Sequence, residues 1–598
     1  MRVMVRGTGG VAGATVLLIA AAAGPAASGD NGAPEGRDPV AVGTGGAVAT
    51  VDPDATEAGL DILRSGGNAV DAAVASAAAL GVTEPYSAGL GGGGYFVYYD
   101  AADGEVRTLD GRETAPAAMA EDAFLEEGEP IPFDEAVTSG LSVGVPGTPA
   151  TWEHAQDAWG KKSLKKVMGP AIELADDGFV VDETFQRQTA DNAERFADFP
   201  DTAELFLPGG APPEPGTVLR NPDLADTYRT FAKEGTGVLE GEIGADIAET
   251  AANPPVAPDA EREVRSGLLS EQDIAEYGIV ERDPTHVRYR GLDVYGMAPS
   301  SSGGSTVGEA LQIMDTFDPA EAGDTGLRHV MLEASKLSFA DRGAYIGDPA
   351  HVDVPLETLL SEDYARQRAC RIDPDAAQEA PVPAGDVEAE EGCGGGDAAD
   401  TPGTEGPSTT HLVAADRWGN VVSYTLTIEQ TGGSGITVPD RGFLLNNELT
   451  DFEFEASESG QGGANLPGPG KRPRSSMAPT LVLSDGEPWL AAGSPGGPTI
   501  ITTVLQLLVD RVDRGTTLPQ AVEAPRLSQR NTAQTNAEPG FLGTDEEERL
   551  ADRGHSFEEL AEIGAATALE VGDDGVITAV AESERRGGGH AAVLRPRE

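Results

Sequence analysis

Length, composition and charge exclude several kinds of protein before any motif is considered. The chain has 598 residues, which is too long for one small core and enough for one large layered domain or two domains. Its 100 acidic residues outnumber 41 basic ones and give a net charge of −59, so a nucleic-acid partner is not expected. Such a surface suits a saline exterior that screens its self-repulsion, although a coding bias that depletes lysine is an equal alternative.

The first residues are typical of an export signal. Arg2 and Arg6 precede an apolar stretch, 11–23, and the small residues GPAASG follow it. The stretch is shorter than the ~20 residues that span a bilayer, and no cysteine follows it that could carry a lipid. We expect a signal peptide over 1–28, a polar leader over 29–40, and a mature protein without a membrane span. It would be secreted or at the cell-envelope exterior, and periplasmic if the source has an outer membrane.

Two helices and a strand are predicted after the leader. The segment ATEAGLDILRSGGNAVDAAVASAAALGV, 55–82, shows two helical patterns separated by Ser65-Gly66-Gly67. The second pattern is almost wholly small and apolar, which predicts a buried helix. GLGGGG, 89–94, precedes the strand GYFVYYD, whereas a phosphate-binding loop leads into a helix. We therefore interpret these glycines as a tight turn that lets backbones approach.

The middle of the chain changes character at Thr409. From Ile372 to Ser408 there is no Lys or Arg, and Asp, Glu, Gly, Pro and Ala predominate, which predicts a flexible acidic segment over 373–408. The residues that follow are β-rich. HLVAAD and VVSYTLT flank the turn RWGN as a hairpin, whose alternation places Thr427 opposite Thr409 or its neighbour. GFLLNN and PTLVLSDGEPWLAAG predict further strands, and TIITTVLQLLVDRV predicts a helix.

Several features favour structural interpretations. Cys370 and Cys393 are the only cysteines of a chain that we expect to be exported, so they predict a disulfide. The seven histidines are scattered without metal-ligand spacing, so neither a metal nor a cofactor is expected. GLSVG, 140–144, matches the serine-hydrolase pattern, but no apolar strand precedes it and no helix follows, so Ser142 is interpreted as a loop residue.

Other residues form a constellation. Gly496 and Gly497 stand before an apolar helix, where bare backbone N–H groups can bind an oxyanion. Taken one by one, the remaining candidates favour capping or surface roles, but together they supply clamps for an anion and a cation. They are Arg112, Glu448, Asp451, Ser475 and Ser476.

Short motifs in order along the chain give it a family resemblance. They are GGNAVDAAVA, GLGGGGYF, DGRETAP, APSSSGG, DRGAYIGDP, TTH, LLNNELTDF, RPRSSM and SPGGPTIITT. The chain resembles the gamma-glutamyltranspeptidase family of N-terminal-nucleophile hydrolases, from about Ala41 to the C-terminus. The resemblance implies an α+β fold, a four-layer αββα sandwich shared by two subunits cut from one precursor.

The resemblance also implies roles for the candidate residues. In this family the precursor cuts itself before the first Thr of TTH, here between Ser408 and Thr409, which gives a large subunit over 41–408 and a small subunit over 409–598. The Thr409 hydroxyl is then the nucleophile, and its freed α-amino group is the base, so that no histidine is needed and His411 is structural. Thr427 matches the threonine that hydrogen-bonds the nucleophile, and Gly496 and Gly497 match the oxyanion pair. Arg112, Ser475 and Ser476 match the residues that hold the substrate α-carboxylate, while Glu448 and Asp451 match those that hold its α-amino group.

The chain departs from the family pattern at two places. Glu429 stands where well-studied members carry an asparagine that contacts the substrate, which changes the charge of the pocket. Residues 453–470 match a lid loop that carries a tyrosine in some bacterial members, but here the loop is shorter and has no tyrosine, so a more open site is expected.

The expected activity is acyl transfer without a cofactor. Thr409 would take the γ-glutamyl group from glutathione or a related γ-glutamyl compound and pass it to water, an amino acid or a peptide. One alternative is a cephalosporin (glutaryl) acylase of the same superfamily. A second is an unprocessed exported scaffold without activity, which the intact Thr409, Thr427 and both glycines argue against.

Overall fold

The computed structural model describes residues 37–389, 392–393, 406, 408–456 and 463–596. The expected signal peptide and most of the leader lie outside these residues. The strands are β1 Val40–Thr50, β2 Gly93–Asp100, β3 Glu105–Gly111, β4 Leu125–Glu126, β5 Glu129–Pro130, β6 Phe179–Val180, β7 Val218–Leu219, β8 Val280–Arg282, β9 Thr285–Tyr289, β10 Leu292–Gly296, β11 Thr410–Asp416, β12 Val421–Thr427, β13 Thr480–Ser484, β14 Glu487–Gly493, β15 Leu527–Ser528, β16 Thr535–Ala537, β17 Phe557–Glu559, β18 Thr567–Val571, β19 Ile577–Val580 and β20 His590–Pro596.

The helices of the same residues vary widely in length. They are α1 Pro53–Arg64, α2 Ala69–Thr83, α3 Phe133–Val137, α4 Thr148–Trp159, α5 Leu164–Val167, α6 Gly169–Asp177, α7 Glu183–Asp191, α8 Ala193–Ala197, α9 Pro200–Phe206, α10 Pro222–Glu234, α11 Glu242–Ala252, α12 Glu271–Ala275, α13 Gly303–Asp315, α14 Pro319–Tyr345, α15 Leu356–Leu359, α16 Glu362–Ala369, α17 Thr499–Val512, α18 Leu518–Glu523 and α19 Asp545–Ala551. None of these described helices combines the length and the apolar character needed to cross a membrane.

One antiparallel sheet curls back on itself to make two stacked layers. Its strands run β8-β3-β2-β12-β11-β1-β19-β18-β14-β13-β10-β9, and β20 also pairs with β1. In the stack β12 contacts β14 and β11 contacts β18. Alternate side chains point into the space between the layers, where Val97 and Val413 of one layer pack with Leu481 and Leu569 of the other. The two layers therefore share one apolar core.

Helices cover both outer faces of this double sheet. On one face α1 and α2 pack over β1, β11 and β12, and on the other α13, α17 and α18 pack over β9, β10, β14 and β18. Helix α2 is buried along its whole length because its residues are small and apolar, and Asn68 and Asp71 cap its first turn. The resulting architecture is the four-layer αββα sandwich that was expected.

The predicted hairpin sits at the centre of the sheet. Thr410 pairs with Leu426, which brings Thr409 opposite Thr427 and confirms the expected register within one residue. The glycine turn before β2 is also confirmed as a place of close approach. A Cβ at Gly91 or at Gly92 would lie 2.1 Å from a backbone oxygen of the 427–444 region.

Three expectations need correction. GFLLNN is not a strand, because only Leu444 makes an isolated bridge, to Thr437. The leader ends earlier than expected, since β1 begins at Val40. Residues 373–389 of the acidic segment lack helices and strands but are held in place, with Val382 buried and bonded through its N–H to Asn531 at 2.7 Å. Most of the remaining segment lies outside the described residues.

The two cysteines are close in space. Cys370 follows α16, and its sulfur is bonded to that of Cys393 across a Cα–Cα distance of 5.8 Å. The bridge ties the end of α16 to the acidic segment on the N-terminal side of Thr409.

Candidate active site

Thr409 lies at the foot of the hairpin, directly before β11. Its Oγ1 is 2.7 Å from the carbonyl oxygen of Ser408 and 3.2 Å from Oγ1 of Thr427. Thr427 donates to the same carbonyl oxygen at 3.0 Å and accepts the N–H of Glu429 at 2.9 Å. Two hydroxyls therefore contact the carbonyl of the Ser408–Thr409 bond, and a donated hydrogen bond withdraws electrons from its carbon.

Both sides of this bond are held by neighbours from distant parts of the chain. The Ser408 hydroxyl donates to the carbonyl of Tyr86 at 2.8 Å and lies 3.0 Å from Oγ of Ser87. On the other side, Arg586 donates to the carbonyl of Thr409 and, at 3.1 Å, to the same Ser87 hydroxyl. Arg586 could not be identified from the sequence, because no motif contains it and its partners lie far away along the chain.

A small cleft of about 220 Å³ opens beside Thr409. It brings together nine of the ten residues that were expected to act on the substrate, from six separate stretches of the chain. These are Arg112, Thr409, Thr427, Glu429, Glu448, Asp451, Ser475, Ser476 and Gly497. The tenth, Gly496, lines an adjoining cavity.

Arg112 is the cation of the cleft. It follows β3, is fully buried, and donates to Glu448 and to Asp451 as well as to the carbonyl of Pro473 at 3.2 Å. Burial opposes its charge, but the carboxylates of Glu448 and Asp451 outweigh burial and hold the pKa of Arg112 well above its usual value. The two expected clamps, one for a carboxylate and one for an ammonium, therefore pair with each other in this structure.

Ser475 and Ser476 of the cleft are held in place by hydrogen bonds from residues outside the cleft. Ser476 accepts a hydrogen bond from Arg342 at 2.8 Å, and Arg342 also donates to Ser302 at 2.8 Å. The Ser302 hydroxyl donates in turn to the carbonyl of Ser475 at 2.7 Å. Because Arg342 donates to Ser476, the hydroxyl hydrogen of Ser476 can point into the cleft. Arg342 and Ser302 were not among the candidate residues, although the motifs DRGAYIGDP and APSSSGG contain them.

Glu429 connects the cleft with the segment before the Ser408–Thr409 bond. It is buried, adopts a left-handed φ of 79°, and accepts hydrogen bonds from the N–H of Gly406 and from the side chain of Asn447. Burial, followed by repulsion from Glu448, raises the pKa of Glu429 to about 8. Gly406 also lines the cleft, so the uncleaved chain places its own backbone there.

Glu113 is a second buried carboxyl group close to the cleft. Neither of its oxygens has a hydrogen-bond partner among the described residues, and its nearest cation is Arg112 at 4.0 Å. Burial and then the charge of Glu448 raise the pKa of Glu113 well above its usual value. Burial therefore favours the neutral form of Glu113, a residue that was not a candidate from the sequence.

The glycine pair precedes α17 with backbone angles that suit glycine. Gly496 has φ of 133° and Gly497 has φ of 55°, and a Cβ on Gly496 would lie 2.5 Å from Oγ1 of Thr499. Among the described residues, no hydrogen bond is made by the N–H of either glycine. Two uncommitted donors at the edge of the cleft can bind a developing oxyanion.

His411 and Ser142 have structural surroundings. His411 is buried in β11, with Nδ1 2.8 Å from the hydroxyl of Thr425, and burial lowers its pKa to about 3, so it stays neutral. Ser142 is buried in a 3-10 turn and donates to the carbonyl of Ser139 at 2.9 Å. Neither lines the cleft that holds Thr409.

A histidine cluster far along the chain was missed from the sequence. His329 and Glu333, one turn apart on α14, approach His555, and the three potential metal ligands lie within 4.8 Å of one another. However, Glu333 accepts from the ammonium of Lys336 at 2.6 Å, and the two imidazoles bond each other at 2.8 Å. Lys336 already supplies the positive charge that a metal would bring to Glu333, and the two imidazoles are hydrogen-bonded to each other. We therefore interpret the cluster as a structural hydrogen-bond network.

Comparisons with known proteins identify the family of the chain. The sequence profile of the family "Gamma-glutamyltranspeptidase" matches residues 55–594. The chain is 39% identical over 556 residues, 92% of both chains, to a protein of Bacillus subtilis (strain 168) named glutathione hydrolase proenzyme. It is 34% identical over 557 residues to acylase ACY 1 proenzyme of Pseudomonas sp. (strain SE83), covering 90% of this chain and 92% of that one.

A solved structure shows the same fold over nearly the whole chain. Cephalosporin acylase from Bacillus halodurans superposes with a TM-score of 0.81 at 28% identity, covering 94% of this chain and 98% of that one. Names of glutathione hydrolases and of acylases thus both occur among the similar proteins. Because the family profile spans nearly all of the described residues, the chain belongs to the gamma-glutamyltranspeptidase family of enzymes.

Proposed function

We propose that this protein is an exported, self-processing γ-glutamyltransferase and glutathione hydrolase whose nucleophile is Thr409. The observation that carries the proposal is the position of the Thr409 hydroxyl, 2.7 Å from the Ser408 carbonyl oxygen, at the edge of a cleft that contains clamps for both ends of an amino acid. The glutathione hydrolase names of similar proteins support the same activity.

Self-processing begins at the Ser408–Thr409 bond. Thr409 Oγ1 attacks the Ser408 carbonyl carbon, whose oxygen accepts the hydrogen bond from Thr427. The C–N bond breaks, the Thr409 nitrogen takes up the proton, and the resulting ester is hydrolysed by water, which releases the carboxylate of Ser408. The freed α-amino group of Thr409 then acts as the base for its own hydroxyl.

The two products remain one molecule because their strands alternate in the sheet. Strands β1 and β2, which precede the cleavage site, flank β11 and β12, which follow it. Separating the subunits would break both ladders and expose the shared core, so the products form a heterodimer.

In catalysis the cleft holds the α-amino-acid end of the donor. Arg112, Ser475 and Ser476 bind its carboxylate, and Glu448 and Asp451 bind its ammonium group, which exchanges the ion pairs among these residues for ion pairs with the substrate. Thr409 Oγ1 attacks the γ-carbonyl carbon, Gly496 and Gly497 stabilise the oxyanion, and the amine leaves with a proton. Water or another amine then attacks the γ-glutamyl ester, and the proton returns to Oγ1.

Acylase activity is the second candidate, because acylases are among the similar proteins. A glutaryl group has the distal carboxylate but lacks the ammonium. Its carboxylate would compete with Glu448 and Asp451 for Arg112 and would bring these two carboxylates no ammonium group in exchange. The mutual pairing of the clamps therefore favours a substrate that carries both charges.

The test compares two chromogenic donors on the same enzyme. We expect kcat/KM for γ-glutamyl-p-nitroanilide to exceed that for glutaryl-p-nitroanilide by roughly 10⁴-fold, because a site built to pair a polar group rejects the analogue that lacks it. Equal values for the two donors would favour the acylase.

A further inference from the structure

Residues 37–39 form a short arm before β1 that lies beside the connection between β19 and β20. The carbonyl of Pro39 accepts the N–H of Ala581, and the carbonyl of Asp38 accepts the N–H of Ala591, each at 2.8 Å. From the sequence, the arm was expected only as part of a polar leader. In the structure it ties the start of this connection to the strand that follows it.

The side chain of Arg37 extends the contact of the arm to a loop within this connection. It is 10% exposed, and one of its terminal nitrogens donates to the carbonyl of Gly588 and, at 2.8 Å, to that of Val51. The other terminal nitrogen pairs with Asp182 at 2.6 Å. Arg37 therefore fixes the carbonyl of Gly588 relative to the segments that follow β1 and precede α7.

The same loop carries Arg586, two residues before Gly588. Arg586 donates to the carbonyl of Thr409 and, at 3.1 Å, to the hydroxyl of Ser87. The hydroxyl of Ser87 lies 3.0 Å from that of Ser408. The loop therefore links the arm to both residues of the bond that we expect to be cut, directly to Thr409 and through Ser87 to Ser408.

The backbone of this loop depends on contacts from outside it. Arg586 has a left-handed φ of 55°, which costs a residue other than glycine about 1–3 kcal/mol and persists only where the surroundings hold it. Gly587 and Gly588 follow with φ of 82° and 79°, and glycine leaves such conformations easily. Glu562 holds one end of the loop by accepting the N–H of Arg586 at 2.9 Å, and Arg37 holds the other end through the carbonyl of Gly588.

We propose that Arg37 is a positioning residue for the Ser408–Thr409 bond, because it holds the loop that places Arg586 on the carbonyl of Thr409. The inference rests on the proposed function and adds a residue of the arm to the groups that self-processing needs. Arg37 takes no part in the bond changes, since its hydrogen bonds go to other residues. It acts by keeping Thr409 in the orientation in which Oγ1 lies 2.7 Å from the Ser408 carbonyl oxygen.

The first experiment measures how fast the full chain cuts itself. The native chain, Arg37→Gln and Arg64→Gln are made in a cell-free system that permits disulfide formation, and the 409–598 fragment is followed over time on denaturing gels. Arg64 is an exposed arginine on α1 that pairs with Glu57 and Asp61, so its variant loses the same charge elsewhere. We expect Arg37→Gln to form the fragment about threefold to tenfold more slowly than the native chain, as for partial loss of a charge-assisted contact, and Arg64→Gln to form it at the native rate.

The second experiment separates positioning from general stability. Because Arg37 acts through Arg586, Arg37→Gln should slow cleavage by less than about twofold in a chain that already carries Arg586→Gln, whereas independent effects would multiply. Arg37→Lys keeps the positive charge and should recover at least part of the rate. Cleavage of Arg37→Gln at the native rate, or of Arg37→Lys if only that variant folds, would overturn the inference, as would effects of Arg37→Gln and Arg586→Gln that multiply. Failure of the native chain to cut itself at all would instead overturn the proposed function.

Discussion

The replacement of Asp451 by asparagine tests the ammonium clamp, which is the feature that separates the two candidate activities. Asp451 is buried and pairs with Arg112, so it contributes one of two carboxylates to the expected ammonium site. Removing one partner of a desolvated charge pair costs about 2–5 kcal/mol. Because Glu448 remains in place, we expect the lower half of this range, a loss of about 30-fold to 300-fold in kcat/KM for γ-glutamyl-p-nitroanilide.

The same substitution also removes one ion-pair partner of Arg112, which leaves Arg112 more available to the distal carboxylate that both donors carry. This effect should change binding of the two donors alike. The informative quantity is therefore the ratio of kcat/KM for the γ-glutamyl donor to that for the glutaryl donor, measured by p-nitroaniline release. This ratio should fall by about the full 30-fold to 300-fold.

A matched control removes the same charge without touching the cleft. Asp246 on α11 pairs with Arg441 at 2.7 Å and does not line the cleft, so Asp246→Asn should leave the ratio unchanged. If Asp451→Asn lowers both donors equally, Asp451 acts only through Arg112 and the ammonium clamp is refuted.

Four further predictions follow from the charges and contacts. Thiol labelling of the native protein without reductant should modify neither Cys370 nor Cys393, and two labelled thiols would contradict the disulfide. Thermal stability should hold or rise as NaCl approaches molar levels, because salt screens the repulsion among excess carboxylates; a melting temperature that falls steadily would show that the acidity is compositional. The pKa of Glu429 is about 8 in the folded chain and near 4.5 in the unfolded chain, so the unfolded chain releases this proton first as the pH rises. Between these two pH values the free energy of unfolding of the uncleaved protein should fall by about 3–5 kcal/mol relative to that of Glu429→Gln. If urea unfolding shows the same difference between the two proteins at pH 5 and at pH 9, the carboxyl group of Glu429 is not buried as described. Arg586→Gln should slow maturation about tenfold or more, because Thr409 loses the donor on its carbonyl, whereas the exposed Arg229→Gln should mature normally on denaturing gels.

The sequence was most informative where a local pattern fixes the structure by itself. Helix α17 begins and ends where its apolar sequence pattern begins and ends. Helix α2 is buried because nearly all of its side chains are small and apolar. The hairpin register could be predicted from the turn and the alternation alone, and this register places Thr409 opposite Thr427.

Contacts between distant segments could not be predicted in the same way. Arg586 reaches the carbonyl of Thr409 across 177 residues, and no periodicity carries that information. Nor could the motifs show that Arg112 pairs with Glu448 and Asp451, because charge pairing depends on side-chain positions. GFLLNN has strand composition, but its neighbours leave it only a single bridge.

The acidic segment shows a further limit of composition. Its polar and glycine-rich residues predicted flexibility as far as Ser408, yet Val382 and Ala384 are buried, and Gly385 donates to Asp341 at 2.5 Å. A few buried apolar side chains and several hydrogen-bonded backbone groups, among them the N–H groups of Gln378, Val382 and Gly385, hold residues whose average composition predicts flexibility.

The most direct test of the central claim is the covalent state of the purified protein. Intact-mass analysis and N-terminal sequencing should find two associated fragments, the smaller of which begins Thr-Thr-His, while Thr409→Ala remains one uncut and inactive chain. Thr409→Ser should still be cut, since it keeps a hydroxyl at the position that lies 2.7 Å from the Ser408 carbonyl oxygen. Cleavage of Thr409→Ala at the same bond, or activity in a chain that stays uncut, would contradict the account.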